Sequence, residues 1–174
     1  MNASDTRPPA AIRKPGAAFM LSHPAHILAQ GFGSGLSPVM PGTVGTLFAW
    51  LCFDVLTQRW PHVFTAGAWG IIIAAGFLVG IWACHQTGRD LGIADHGSMV
   101  WDEIIAFWLV LLVLMPAPPA TQVWAFLWFR FFDMVKPPPI RQADRRFKGG
   151  FGVMLDDLVA AFFTLLVFAV WRAL

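Results

Sequence analysis

The stretch DHGSMVWDEIIAFWLVLLVLM, residues 95–115, sets the terms on which the chain is read. Asp102 and Glu103 stand side by side at the start of an apolar run that continues to Met115-Pro116. A carboxylate carried to the middle of a bilayer costs about 2.5–3.5 kcal/mol. The pair is therefore expected at a boundary with water, where it needs a compensating role. Adjacent side chains on a helix diverge by about 100°, so one acid is expected to face a metal and the other a neighbour or a second ligand. Acids in a first turn also favour a helix electrostatically, which alone would account for them in a soluble protein.

The rest of the chain shares the apolar character of this run. Of 174 residues, 57% are hydrophobic and only 13% charged, about half the usual soluble share. Nine Trp, sixteen Phe, no Tyr and a mean hydropathy of +0.62 point to a membrane protein. The net charge of +2 is too small to argue for nucleic acid. Four further apolar segments run over Thr43–Leu56, Val63–Cys84, Thr121–Val135 and Leu158–Trp171. Val63–Cys84 has 22 residues without an acid, Lys or Arg, and alone comfortably reaches the length of about 20 that a bilayer demands. The others need their polar ends counted in. No strand-period alternation or internal repeat interrupts the pattern.

The expected fold is all-α: a membrane-embedded bundle of about five main apolar helices with its site at the cytoplasmic interface. A soluble bundle of very apolar helices is the alternative. Residues 1–17 are polar and Pro-rich, without the apolar stretch of a signal peptide, and are expected to form a disordered basic tail before a single domain over 18–174. Cys52 and Cys84 lie in or at the end of apolar runs, without CxxC or zinc-spaced His, and are expected as buried thiols.

Basic residues orient the expected bundle. Arg7, Arg13 and Lys14 precede the first helix; Lys136, Arg141, Arg145, Arg146 and Lys148 fill the fourth connection, whereas residues 116–120 carry no charge. The positive-inside rule puts the N-terminus in the cytoplasm, and five spans would leave the C-terminus outside. Residues 30–42, 85–101 and 136–155 then share the cytoplasmic face.

Each of these three stretches carries candidate chemistry. GFGSGLSPVMPGT, residues 31–43, fails the dinucleotide, Walker and nucleophile-elbow spacings. What remains is a Gly/Ser/Pro turn feeding a helix near Thr43, whose free N–H groups could receive an anion. Taken alone, the stretch is better explained as a tight turn between packed helices. In the second stretch Asp95, His96, Asp102 and Glu103 offer four ligand groups. In the third, Arg130, Asp133 and Lys136 are spaced i, i+3, i+6 along one side of a helix. Arg141 follows, and the pair Asp156-Asp157 announces the fifth helix, repeating the arrangement at Asp102-Glu103. Neighbouring helices would bring the two pairs into one four-carboxylate cluster. Such oxygens, without thiolate, suit Mg²⁺, which commonly bridges carboxylates to substrate phosphate. Nearby cations would hold the remaining phosphate charge. A phosphate-bearing lipid fits this set, and a small transporter with a buried ionic network also fits.

The segments HILAQGFGSGLSPVMPGT (26–43), CHQTGRDLGIADHGSMVWDE (84–103) and FRFFDMVKPPPIRQADRRFKGGFGVMLDD (129–157) together resemble the phosphatidylglycerophosphatase A family. The resemblance covers residues 26–165, with Pro138 departing from an aromatic expected there. It implies a Mg²⁺-dependent, multi-pass phosphatase of the bacterial inner membrane, its active site facing the cytoplasm. This enzyme would convert phosphatidylglycerophosphate to phosphatidylglycerol on a bundle with one helix surrounded by others. The DxDx[TV], CxxxxxR and PSGH strings of other phosphatase classes are absent, which favours attack by metal-activated water. On this reading Asp102, Glu103, Asp156 and Asp157 hold Mg²⁺, while Arg130, Lys136, Arg141 and Thr43 hold phosphate. Asp95 or His96 carries the proton, and Asp133 orients a cation or a metal water. A phosphatase for another phosphomonoester lipid is the remaining alternative within the class.

Overall fold

The computed structural model describes residues 15–135 and 149–173, and among these every regular element is helical. The tail expected over 1–17 falls largely outside them, although Ala17 already opens a helix. Two short helices, α1 (Ala17–Met20) and α2 (Pro24–Ala29), lead into a 3₁₀ segment over Gly31–Leu36. Five long helices follow: α3 (Pro41–Arg59), α4 (Ala66–Leu91), α5 (Trp101–Leu114), α6 (Pro119–Val135) and α7 (Gly150–Ala173).

α5 is the axis of the bundle, packed by α3, α4, α6 and α7. Ten of its 14 residues are buried, among them Ile104, Ile105, Ala106 and Phe107 with no exposure. This matches the surrounded helix that the family resemblance implied. Indole N–H groups tie the surrounding helices to it: Trp101 donates to the Gly76 carbonyl (2.9 Å) and Trp108 to that of Ala49 (2.8 Å). Both are helix-backbone acceptors, which satisfies the polar end of each ring inside an apolar core.

Of the five spans expected, only two among the described residues are candidates by length and composition. At 1.5 Å per residue α5 is about 21 Å long, short of a hydrocarbon core of about 30 Å. Its apolarity serves the protein interior instead. α4 and α7, with 26 and 24 residues, are the two helices long and apolar enough to cross a membrane. Only 28% and 44% of their most apolar windows are buried, so both leave apolar surface exposed. Ile71, Leu78, Phe162 and Trp171 stand exposed on them, continuing a girdle that Leu51 and Phe131 extend onto α3 and α6. An apolar surface of that extent is a contact surface and not ordinary solvent-facing scatter.

Helix ends place the functional groups. Thr65 caps α4 by accepting from the Ala68 N–H, and Gly92, at φ +71°, ends it in the left-handed region. α7 starts earlier than expected. Gly149 turns the chain at φ +79°, but Gly150 is already helical, packed where a Cβ would lie 2.0 Å from the Ile81 carbonyl oxygen. Asp156 and Asp157 therefore sit well inside α7 and not at its start. The α1–α2 hook is held to α4 by buried His26, whose Nε2 lies 2.9 Å from Asp90 Oδ2. Cys52 is half-buried and Cys84 buried, both free.

Candidate metal and phosphate site

The polar stretches meet at one end of the bundle, around the first turn of α5. The Gly31–Leu36 segment lies directly on the turn before α5: a Cβ at Gly35 would stand 2.1 Å from the Ser98 carbonyl oxygen. Asp102 and Glu103 open α5 beside this contact. α7 brings Asp157 across from them, and one oxygen from each of the three carboxyls lies within 4.8 Å of the others. Both adjacent acids thus put an oxygen into one group, and Glu103 also reaches the neighbouring Arg130. Their Cα–Cβ bonds do diverge, but both side chains bend to the same point, and their carboxyls share a hydrogen bond.

Asp102 and Asp157 are 7% and 3% exposed, and Glu103 is half-buried with an enclosed carboxyl. Asp102 Oδ1, Glu103 Oε2 and Asp157 Oδ2 are each buried without a hydrogen-bond partner. Three clustered carboxyls left short of donors require protons or a cation. Burial first, and the Glu103 charge second, push the Asp102 carboxyl well above the usual range. Burial, followed by the Asp157 charge, pushes Glu103 up to about 8. Oxygen-only donors at this spacing suit a hard divalent ion. Among the described residues this is the group of acids that could hold one. Asp156, 3% exposed, is not part of the trio, although its charge reaches Asp102.

A cationic wall stands against the acids. Arg130 Nη1 on α6 lies 2.6 Å from Asp133 Oδ2, one helical turn on, and 3.7 Å from Glu103 Oε1. It also donates to Thr46 Oγ1 at 3.5 Å, while that hydroxyl donates to the Gly42 carbonyl at 2.8 Å. The guanidinium retains an unpartnered Nε, so it is braced without being used up. Asp133 also faces Asp157 and so joins the cationic wall to the acids.

The start of α3 closes the site. Met40, at φ +47°, turns the backbone into the helix, and Pro41 occupies the first turn. No side chain caps this end, and Thr43 Oγ1 is buried without a partner. Gly42 is the point of closest approach: a Cβ there would lie 2.3 Å from Glu103 Oε1 and 3.1 Å from both terminal nitrogens of Arg130. Sequence reasoning missed Gly42 and Thr46. The legible sign was their i, i+4 spacing at a Pro-Gly helix start.

The remaining candidates are placed less centrally. Asp95 is exposed on the turn before α5, near enough for its charge to raise Asp102. His96 is half-buried; its Nδ1 accepts from the Ser98 backbone N–H at 3.1 Å and faces Ser98 Oγ at 2.9 Å. His96, Ser98, Gly35, Ser37 and Pro41 line a cavity of about 310 Å³ at this end. Lys136 and Arg141 lie outside the described residues.

Comparison with known proteins follows the same residues. The phosphatidylglycerophosphatase A family model matches residues 27–172. A protein of that name from Escherichia coli is 44% identical over 146 residues, 80% of this chain and 78% of the relative. One from Haemophilus influenzae is 40% identical over 154 residues, covering 84% and 88%. A Bacteroides thetaiotaomicron relative, 37% identical over 154 residues and covering 84% and 92%, carries the provisional name phosphatidylinositol-3-phosphatase. No solved structure matches the chain significantly.

Proposed function

Since the chain belongs to the phosphatidylglycerophosphatase A family and is a phosphoric monoester hydrolase, we propose that it removes the terminal phosphate of phosphatidylglycerophosphate in a Mg²⁺-dependent reaction. The observation that carries the metal assignment is the buried trio Asp102, Glu103 and Asp157, each with one oxygen lacking a donor. These three would hold Mg²⁺; when bound, the ion polarises a phosphoryl oxygen and lowers the pKa of water.

The chain's own groups supply the rest. Arg130 offers N–H groups to phosphate oxygens from beside the acids, and Asp133 and Thr46 fix the plane of its guanidinium. Thr43 Oγ1 and the uncapped start of α3 add neutral donors on the opposite wall. Lys136 and Arg141 are proposed to contribute charge from the connection that follows α6. Asp95, exposed beside the site, or His96 on the same turn is the proposed carrier for the proton of water or the leaving glycerol oxygen. The cavity lined by Ser37, Pro41, His96 and Ser98 is available to the polar head group.

The substrate is a membrane lipid, and α4 and α7 are proposed to insert in the bacterial inner membrane with the acid-rich end at the cytoplasmic surface. The cations between α6 and the start of α7 support that orientation. The test is inorganic phosphate release in detergent micelles from phosphatidylglycerophosphate, phosphatidylinositol-3-phosphate and phosphatidic acid. Release is expected from the first in preference to the others and is abolished by EDTA. Faster release from either competitor would move the assignment to another head group, and activity in EDTA would remove the metal.

A further inference from the structure

α4 and α7 touch closely at one end and part at the other. At the site end a Cβ on Gly80 would lie 2.6 Å from Met154 Sδ, and Gly150 lies against the Ile81 carbonyl. Further from the site the two helices leave between them a crevice of about 390 Å³ whose floor is α5. Gly70, Ala74 and Phe77 form one wall, Leu158 stands on the other, and Ile105, Leu109 and Leu112 form the floor. Every lining residue is apolar.

We propose that this crevice receives one acyl chain of the lipid substrate, an assignment that rests on the phosphatase reading above. Continuity with the site singles out that occupant. Ile105, Leu109 and Leu112 follow Asp102 at i+3, i+7 and i+10, on the same stripe of α5. The crevice therefore begins about 4.5 Å along the helix from a carboxyl of the trio. On the opposite wall Leu158 directly follows Asp157. A lipid whose phosphate reaches the acids thus has an apolar crevice one turn further along the same stripe of α5, between the two helices long enough to cross a bilayer. The small residues make the space: Ala74 is exposed, and a Cβ at Gly70 would meet nothing within 4 Å. A larger side chain at either position fills the crevice without disturbing the core.

The experiment compares dihexanoyl and dipalmitoyl phosphatidylglycerophosphate in the same detergent micelles with Mg²⁺, using the full chain. Ala74→Trp and Gly70→Leu should each lower the ratio of kcat/KM for the long chain over the short one by about tenfold, the scale on which apolar pockets discriminate methylenes. Leu51→Trp, on the outer face of α3, should leave the ratio unchanged. An unchanged ratio in both crevice variants, or an equal fall in Leu51→Trp, overturns the assignment in favour of general bilayer contact. If the unaltered chain hydrolyses neither lipid, the phosphatase reading fails and takes the crevice with it. An active parent with an unmoved ratio removes the crevice alone.

Discussion

Glu103 on α5 and Asp157 on α7 offer oxygens within 4.8 Å of each other, and each has a carboxyl oxygen buried without a hydrogen-bond donor. Two acids from different helices do not approach this way for stability, because each raises the cost of ionising the other. A divalent cation at the proposed site would offset that cost.

Asp157→Asn should therefore separate function from folding. The amide keeps the size of the carboxyl while removing one charge from the cluster. Phosphate release is expected to fall by roughly a hundredfold or more, since even indirect supports of a metal commonly cost 10–100-fold. The metal-free variant should melt no lower than the parent, and its melting temperature should respond less to Mg²⁺. Wild-type turnover by the purified variant would refute the metal assignment.

The same cluster gives the metal-free protein an inverted pH dependence. Glu103 titrates near 4.5 when unfolded and is pushed to about 8 in the fold by burial and by Asp157. The folded state then holds more protons than the unfolded one between these values, so stability falls as pH rises through that window. Mg²⁺ competes with those protons and should stabilise more at pH 8 than at pH 5. Thermal melts at the two pH values, with EDTA or with Mg²⁺, check both signs. A Mg²⁺ shift larger at pH 5 would contradict the site.

How much of this was legible depends on what the sequence encodes locally. The five long helices were readable from apolar runs and Gly/Pro punctuation. Their environments were not. An all-round apolar helix looks the same whether lipid or protein surrounds it, so α5 read as a span although it is the axis of the bundle. The acid pair Asp156-Asp157 read as the entry to the last helix, but the helix already starts at Gly150, which packs against Ile81, and this places both acids in its interior. The acid pairs were recognisable as chemistry. Which member of the second pair faces the first depends on the rotation of α7, which no spacing reports, and the structure selects Asp157 over Asp156 for the trio.

Arg130 tests the phosphate wall. Arg130→Ala would leave Asp133 and Glu103 uncompensated and is expected to destabilise by on the order of 3 kcal/mol, as when one member of an enclosed ion pair is removed. Arg130→Lys keeps the charge and loses the planar fork, so it is the cleaner variant. It should fold, raise KM for the lipid and lower turnover. An unchanged KM in micelle kinetics would place phosphate elsewhere.

Gly42→Ala probes the site by volume alone. The added Cβ would lie 2.3 Å from Glu103 Oε1, a separation at which an atom must move. The backbone of α3 is held by its own helix, whereas the Glu103 carboxyl is the free end of a flexible side chain, so the carboxyl gives way. Arg130, at 3.1 Å from the same point, is nudged with it. Alanine also favours the helix over glycine by about 1 kcal/mol, which offsets part of the local crowding. The fold should therefore survive with a melting temperature near that of the parent, while the acid trio loses its common focus. Phosphate release is expected to fall at least about tenfold, with a higher Mg²⁺ concentration needed for half-maximal activity. Gly45→Ala is the control on the same helix: its Cβ would meet Val100 at 2.7 Å and crowd the core without touching an acid. It should lower the melting temperature and leave the Mg²⁺ requirement where it was. If Gly42→Ala kept the parent's Mg²⁺ requirement and rate, Glu103 would not be acting from the position described.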